Sequence, residues 1–224
     1  MEKVSLLGQW KDRKKAEGVS NTIGKAPEGV PIPLSHSQQR LWFLQQLYPG
    51  NSFYNYSEKY RFVGDLQVDL LLQALHLVFE NHEILRTVYY MEDGHPYMRI
   101  RPESGISVVQ HDLRDQKGDK SAAVQKIIDT DAEHSFDLSK PPVALVSVLR
   151  MEADEHLVML TLHHIAIDKW SMNLLKSEWA KYYRELSKGS LPETTAPAIQ
   201  YPDFAYWQRD RKIKQEQLEY WKGK

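Results

Sequence analysis

Apolar positions along this chain recur at two rhythms, and the switches between them mark out the elements. From Val68 the residues Val68, Leu71, Leu72, Leu75, Val78 and Phe79 return at intervals of three and four, the stripe of an amphipathic helix that ends near Asn81. A second stripe, Trp170, Leu174, Leu175, Trp179, Tyr182 and Tyr183, predicts a helix over 170–186. Ser35 is a good N-cap for the segment carrying Leu41, Trp42, Phe43, Leu44 and Leu47, and Pro49-Gly50 stops it, so a helix is expected over about 36–48. Weaker helical spacing falls over 122–132, and a last helix is expected from Asp203 to the C-terminus. Period-two alternation sets Tyr56, Glu58, Tyr60 and Phe62 against Ser57, Lys59, Arg61 and Val63, the pattern of a strand with two unlike faces. Segments 87–91 and 97–101 flank Asp93-Gly94, a hairpin signal because glycine takes positive φ without steric cost. A short strand follows at 106–110, and 142–151 with 156–163 form a second hairpin around Glu152-Ala153-Asp154-Glu155. The fold class expected is α+β, a mixed sheet with helices mainly on one face. The stretch 18–33, with three Gly and three Pro, reads as linker, and 189–202 reads as loop.

Composition narrows the partners. The 224 residues, 42% hydrophobic, suffice to bury a core in one domain or a pair of small ones. Lys plus Arg number 29 against 30 Asp plus Glu, so no basic excess draws the chain to nucleic acid or anionic lipid. The absence of cysteine removes disulfides, thiolate metal sites and cysteine nucleophiles together. The apolar run at the N-terminus is too short for a signal peptide, and no stretch approaches the ~20 apolar residues that span a bilayer. A cytoplasmic location without membrane contact is the resulting expectation.

The densest run of functional side chains is Leu162-His163-His164-Ile165-Ala166-Ile167-Asp168-Lys169-Trp170-Ser171, where a predicted strand meets a predicted helix. Adjacent residues of a strand point to opposite faces, so one histidine is expected to face the core and the other a cleft. A neutral imidazole accepts a proton or hydrogen bond near pH 7. A metal held by His164 and Asp168 is the competing chemistry, but no third ligand stands within local reach, so no metal is expected. The stripe residues Trp42, Trp170 and Trp179 are expected in the core. The basic run Lys11-Asp12-Arg13-Lys14-Lys15 reads as a solvated helix face or a docking element.

Four segments carry a family resemblance. Pro33-Leu34-Ser35-His36-Ser37-Gln38-Gln39-Arg40-Leu41-Trp42-Phe43-Leu44 resembles the opening motif of nonribosomal peptide synthetase condensation domains. Asn81-His82-Glu83-Ile84-Leu85-Arg86-Thr87 resembles their second motif, 163–171 their HHxxxDG motif, and Tyr201-Pro202-Asp203-Phe204-Ala205-Tyr206-Trp207-Gln208-Arg209 the motif that follows. The resemblance implies a chloramphenicol acetyltransferase-like fold, two αβ lobes in a V with a tunnel between them. It implies an amide-forming acyltransferase acting on phosphopantetheine arms, delivered by an upstream donor and a downstream acceptor carrier protein, with no cofactor bound by the chain itself. It also implies that His164 is catalytic, that His163 is structural, and that Asp168 supports the site through a salt bridge to Arg86. Lys169 and Trp170 follow as candidate tunnel-lining residues.

Two departures qualify this. Lys169 stands where the family has glycine, and the chain ends near where a first lobe ends. The expected organisation is a linker or docking segment over 1–32 and an N-terminal lobe over 33–224, an excised piece or the front of a longer synthetase, inactive alone and with an apolar face open beside His164. A carrier-binding or scaffolding module without turnover, and an acyltransferase of the same superfamily with a hydroxyl acceptor, remain the alternative readings.

Overall fold

The computed structural model describes residues 22–103, 105–211 and 215–223; the basic run 11–15 and most of the predicted 1–32 segment lie outside the described residues. In chain order the elements are β1 (Ile32–Pro33), α1 (His36–Leu47), β2 (Asn55–Val63), α2 (Val68–Asn81), a 3-10 turn (Glu83–Arg86), β3 (Thr87–Glu92), β4 (His95–Ile100) and β5 (Ile106–Asp112). They continue with α3 (Lys120–Ala132), β6 (Ala144–Glu152), β7 (Glu155–His163), α4 (Lys169–Ser187), α5 (Tyr201–Asp210) and α6 (Gln215–Lys222).

Local chemistry accounts for most boundaries. Ser35 and Gln38 form a reciprocal capping box at α1: the Gln38 amide donates to Ser35 Oγ at 3.2 Å and the Ser35 amide to Gln38 Oε1 at 3.1 Å. Asp119 and Asp168 cap α3 and α4 by accepting from the amides of Ala122 and Ser171. Asp93 (φ 49°) and Gly94 (φ 76°) both take the left-handed region at the β3–β4 turn, as a tight hairpin between right-twisted strands requires. Arg211, extended at φ −72° and ψ 120°, ends α5, so the single C-terminal helix expected from the sequence is two helices.

The two hairpins enter different sheets. β1, β4 and β3 form a three-stranded antiparallel sheet, and β2, β7, β6 and β5 a four-stranded one. Within the second, β5 and β6 are parallel and the remaining pairs antiparallel, so the sheet is mixed. The parallel pair needs a crossover, and α3 supplies it.

The alternation of β2 is realised: Tyr56, Glu58, Tyr60 and Phe62 are half-buried and the residues between them exposed. On that face of the sheet Val146, Val148, Val158, Leu160 and Leu162 pack with α2 and α4 into the larger core. A second core gathers Leu34, Trp42, Tyr89, Phe136, Leu138 and Leu145. Trp42 and Trp179 are buried as expected, whereas Trp170 is 74% exposed. The reason is phase: the buried stripe of α4 runs through Met172, Leu175, Trp179, Tyr182 and Leu186, which leaves Trp170 and Leu174 on its outer flank. Among the described residues no helix is long and apolar enough to cross a membrane.

Candidate active site

The segment after β7 is pinned by its alternate residues. Ile165 drops into the second core and Ile167 into the larger one. Each such burial contributes on the order of 1.5–3 kcal/mol, enough to fix a five-residue turn between two anchors. The residues flanking the anchors, His164 and Asp168, are thereby left exposed.

His163, the last residue of β7, is 2% exposed. Its Nδ1 accepts the Ile165 amide at 3.1 Å, which holds the turn from beneath. Burial, together with neighbouring His164, pushes its pKa down from 6.5 to about 4, so at neutral pH the ring is an uncharged acceptor. The His164 amide extends the strand ladder by one bond, donating to the Tyr54 carbonyl at 2.7 Å, while its imidazole faces the opposite way onto a cleft. The two histidines therefore divide as strand geometry requires, one inward and one outward.

The cleft encloses about 550 Å³ and is walled by α1, the 3-10 turn, the His164–Asp168 turn, α4 and the approach to α5. All four motif segments meet here, and buried amides tie them together. Gln38, 1% exposed, donates to the Tyr89 hydroxyl at 3.1 Å and to the Ile165 carbonyl at 3.3 Å, so the opening segment holds the turn that presents His164. Gln200 joins the second segment to the last: its side chain donates to the Asn81 carbonyl at 2.8 Å and accepts from the Glu83 amide at 3.1 Å. Asp203 accepts from the Gln200 and Ala26 amides and pairs with Lys25 at 2.9 Å. Neither glutamine was singled out by sequence reasoning. The spacing of Ser35 and Gln38 as a capping box was the available signal for the first; Gln200, in an irregular segment, offered none.

Asp168 and Arg86 do not pair. The Asp168 carboxylate caps α4 through the Ser171 amide at 2.8 Å, and that bond, aided by nearby His164, holds its pKa below the usual carboxylate range. Arg86 donates from Nη1 to the Arg101 carbonyl at 2.7 Å, and its buried Nε finds no partner. The expected ion pair is thus replaced by two backbone ties: Asp168 satisfies an orphan amide of a helix start, and Arg86 braces the end of β4.

Lys169 and Trp170, the candidate tunnel-lining residues, stand outside the cleft's lining. Lys169 is the first residue of α4 and largely exposed, and it reaches Glu58 Oε1 at 3.3 Å on the neighbouring strand. Leu174, 54% exposed, lines the cleft with His164, and Trp170, 74% exposed, stands one turn before it on the same helix. Among the described residues no cluster of three or more His, Cys, Asp or Glu side chains is arranged to hold a metal ion.

The chain is 37% identical over 191 residues to the malpibaldin synthetase of Mortierella alpina, covering 84% of this chain and 3% of that protein. It is 34% identical over 212 residues to the phosphinothricin tripeptide synthetase PhsC of Streptomyces viridochromogenes, covering 92% of this chain and 20% of the relative. The chain thus spans a small part of the curated relatives it matches. Among solved structures it superposes on the starter condensation domain of the rhizomide synthetase RzmA with TM-score 0.75 and 23% identity, over 87% of this chain and 50% of that one. The X-domain in its complex with OxyB from teicoplanin biosynthesis gives TM-score 0.77 and 23% identity, over 90% and 45%. These likenesses establish the fold. A family model described as Condensation domain matches residues 30–224, so the chain, with its four motif segments drawn around one cleft, belongs to the condensation-domain family.

Proposed function

We propose that residues 33–224 are the N-terminal lobe of a condensation domain that forms an amide between a carrier-bound acyl or peptidyl thioester and a carrier-bound amine, with His164 at the reacting centre. The observation that carries this reading is the division of the histidine pair: His163 is buried and uncharged beneath the turn, and His164 presents its imidazole to the cleft. The phosphopantetheine arms are substrates brought by the two carriers, and a second lobe closes the cleft into a tunnel over the open flank at Leu174 and Trp170.

The chemistry asks little base strength. An α-amino group has a pKa of about 8, so a sizeable fraction is uncharged near neutrality and ready to attack. The nitrogen adds to the thioester carbonyl, a tetrahedral intermediate forms, and the C–S bond then breaks as the thiol departs with a proton. In this reading His164 orients the amine, steadies the charge that develops on nitrogen, and passes its proton toward the departing sulfur. Lys169 turns to Glu58 and leaves the cleft clear, so its replacement of glycine does not favour a module without turnover.

The test is made in the intact synthetase with loaded donor and acceptor carriers. His164→Ala is expected to lower amide formation by at least ~100-fold, the usual contribution of a positioned proton-transfer group, with no change in unfolding midpoint. Unchanged turnover refutes the assignment. Transfer to a hydroxyl acceptor in place of the amine would support the superfamily alternative.

A further inference from the structure

Among the described residues the His164 imidazole has no hydrogen-bond partner, and its one ring neighbour is Tyr56. The two rings meet edge to face, with centroids 5.4 Å apart and planes at 83°. Tyr56 is itself held: its hydroxyl donates to Glu58 Oε1 at 2.8 Å. The same carboxylate accepts from the Tyr60 hydroxyl at 2.7 Å and pairs with Lys176 at 2.9 Å and Lys169 at 3.3 Å. Its side chain is only 16% exposed. A carboxylate withdrawn from water to this degree is tolerated where several donors meet it, and here four do. The assembly is anchored in the larger core, because Tyr60 packs edge-on against Trp179 at 5.8 Å.

We propose that Tyr56 is a positioning residue for His164, that Glu58 with Lys176 locks it in place, and that Lys169, at the position where the family has glycine, supplies an added tie of this lock. The inference rests on the reading of His164 as the group at the reacting centre. Without such a contact an unbonded imidazole on an exposed turn samples several rotamers, and only some of them direct a ring nitrogen into the cleft. An edge-to-face neighbour whose own torsions are fixed narrows that choice before substrate arrives. Lys169 reaches the carboxylate from the first turn of the helix that the motif itself opens, so a long side chain there strengthens the flank of the site without entering the cleft.

Two measurements test this together. In the chain labelled for NMR, the His164 ring protons should sit in the ring-current field of Tyr56; Tyr56→Leu is expected to move them while His163 and His82 resonances stay in place. Tyr56→Phe, which keeps the ring but loses the tie to Glu58, should give smaller shifts. In the intact synthetase, Tyr56→Leu is expected to lower kcat about tenfold with KM for either carrier within about twofold, the pattern of lost orientation rather than lost binding. Tyr56→Phe should recover most of the rate, and Lys169→Gly should cost about two- to threefold. If Tyr56→Leu does not fold, Glu58→Gln, which loosens the lock on Tyr56, is read by the same His164 resonances and the same kcat and KM. Unmoved His164 resonances, or a loss confined to KM, overturn the proposal. Should His164→Ala leave turnover unchanged while the resonances move as described, the packing stands and the catalytic reading fails, so the two failures are distinguishable.

Discussion

Gln38 offers the sharpest test of how the motif segments hold one another. Its side chain joins the Ser35 amide, the Tyr89 hydroxyl and the Ile165 carbonyl, and the three partner residues are buried, as is Gln38. Gln38→Met keeps the length and nearly the volume of the side chain while removing the amide. A buried polar group left without a partner costs about 1–3 kcal/mol. The three losses are not additive, because the surroundings relax together and the thioether remains a weak acceptor; a destabilisation of about 2–4 kcal/mol is expected. At this chain length each kcal/mol lowers the melting temperature by about 2–4 °C, so the midpoint should fall by on the order of 5–15 °C. Urea unfolding followed by circular dichroism measures the change, with Gln46→Met on the exposed side of the same helix as the reference. In the intact synthetase the variant should also lose turnover below its unfolding temperature, because Ile165 follows His164 directly. A change below ~0.5 kcal/mol relative to wild type would show that the amide is not what ties α1 to the turn.

Acid titration should separate buried His163 and half-buried Glu58 by window. His163 has its pKa depressed from 6.5 to about 4, so the unfolded chain takes up the proton first; its contribution is complete above pH 6.5 and is lost as pH falls through about 4, by roughly 3 kcal/mol. His163→Asn keeps an acceptor near the Ile165 amide without a titrating ring and should flatten stability over that window; an unchanged slope argues against a neutral buried imidazole. Glu58 titrates lower: burial acts to raise its pKa, but the bonds from Lys176, Tyr60, Tyr56 and Lys169 together outweigh that and bring it from 4.5 to about 2. Its contribution is therefore present above pH 4.5 and lost as pH falls toward 2, on the order of 1–3 kcal/mol once the exposure of Lys169 is allowed for. Glu58→Gln should remove that dependence, and equal acid sensitivity in both proteins would contradict it.

What the sequence made legible was whatever depends on short-range rhythm. The stripe of α2 and the alternation of β2 were visible because a half-buried helix or strand repeats its environment every few residues, and the Asp93-Gly94 turn because two adjacent residues had to adopt positive φ. The phase of α4 was not. Trp170 and Leu174 extend an apolar pattern that periodicity alone assigns to the core, yet the helix docks on the face carrying Met172 and Leu175. Nor does period reveal that the first hairpin joins β1 in one sheet while the second joins β2 and β5 in another, because those pairings are set by contacts distant in sequence. At the site, the side to which each histidine turns followed from strand geometry and the resemblance, whereas Gln38, Gln200 and the Tyr56–Glu58 pair act through partners far along the chain. Glu58 did leave one trace, a charge among tyrosines on the half-buried face of its strand, which is where a paired carboxylate is to be expected.

The two residues that close the histidine motif show how position along the backbone constrains a role. Asp168 occupies the residue before a helix, where four amides lack partners, and a carboxylate there has a ready acceptor function within its own segment. That local use meets the need for a paired charge without calling on Arg86, which is committed to Arg101. Lys169 begins the helix itself, and its side chain ends at Glu58, on the half-buried face of β2, rather than in the cleft. A glycine at that position leaves Glu58 with three donors, Tyr56, Tyr60 and Lys176, which already satisfy most of its acceptor capacity. The lysine therefore adds to a lock that stands without it. This is why a change from no side chain to a long cationic one is compatible with the same turn, the same cap and the same outward His164.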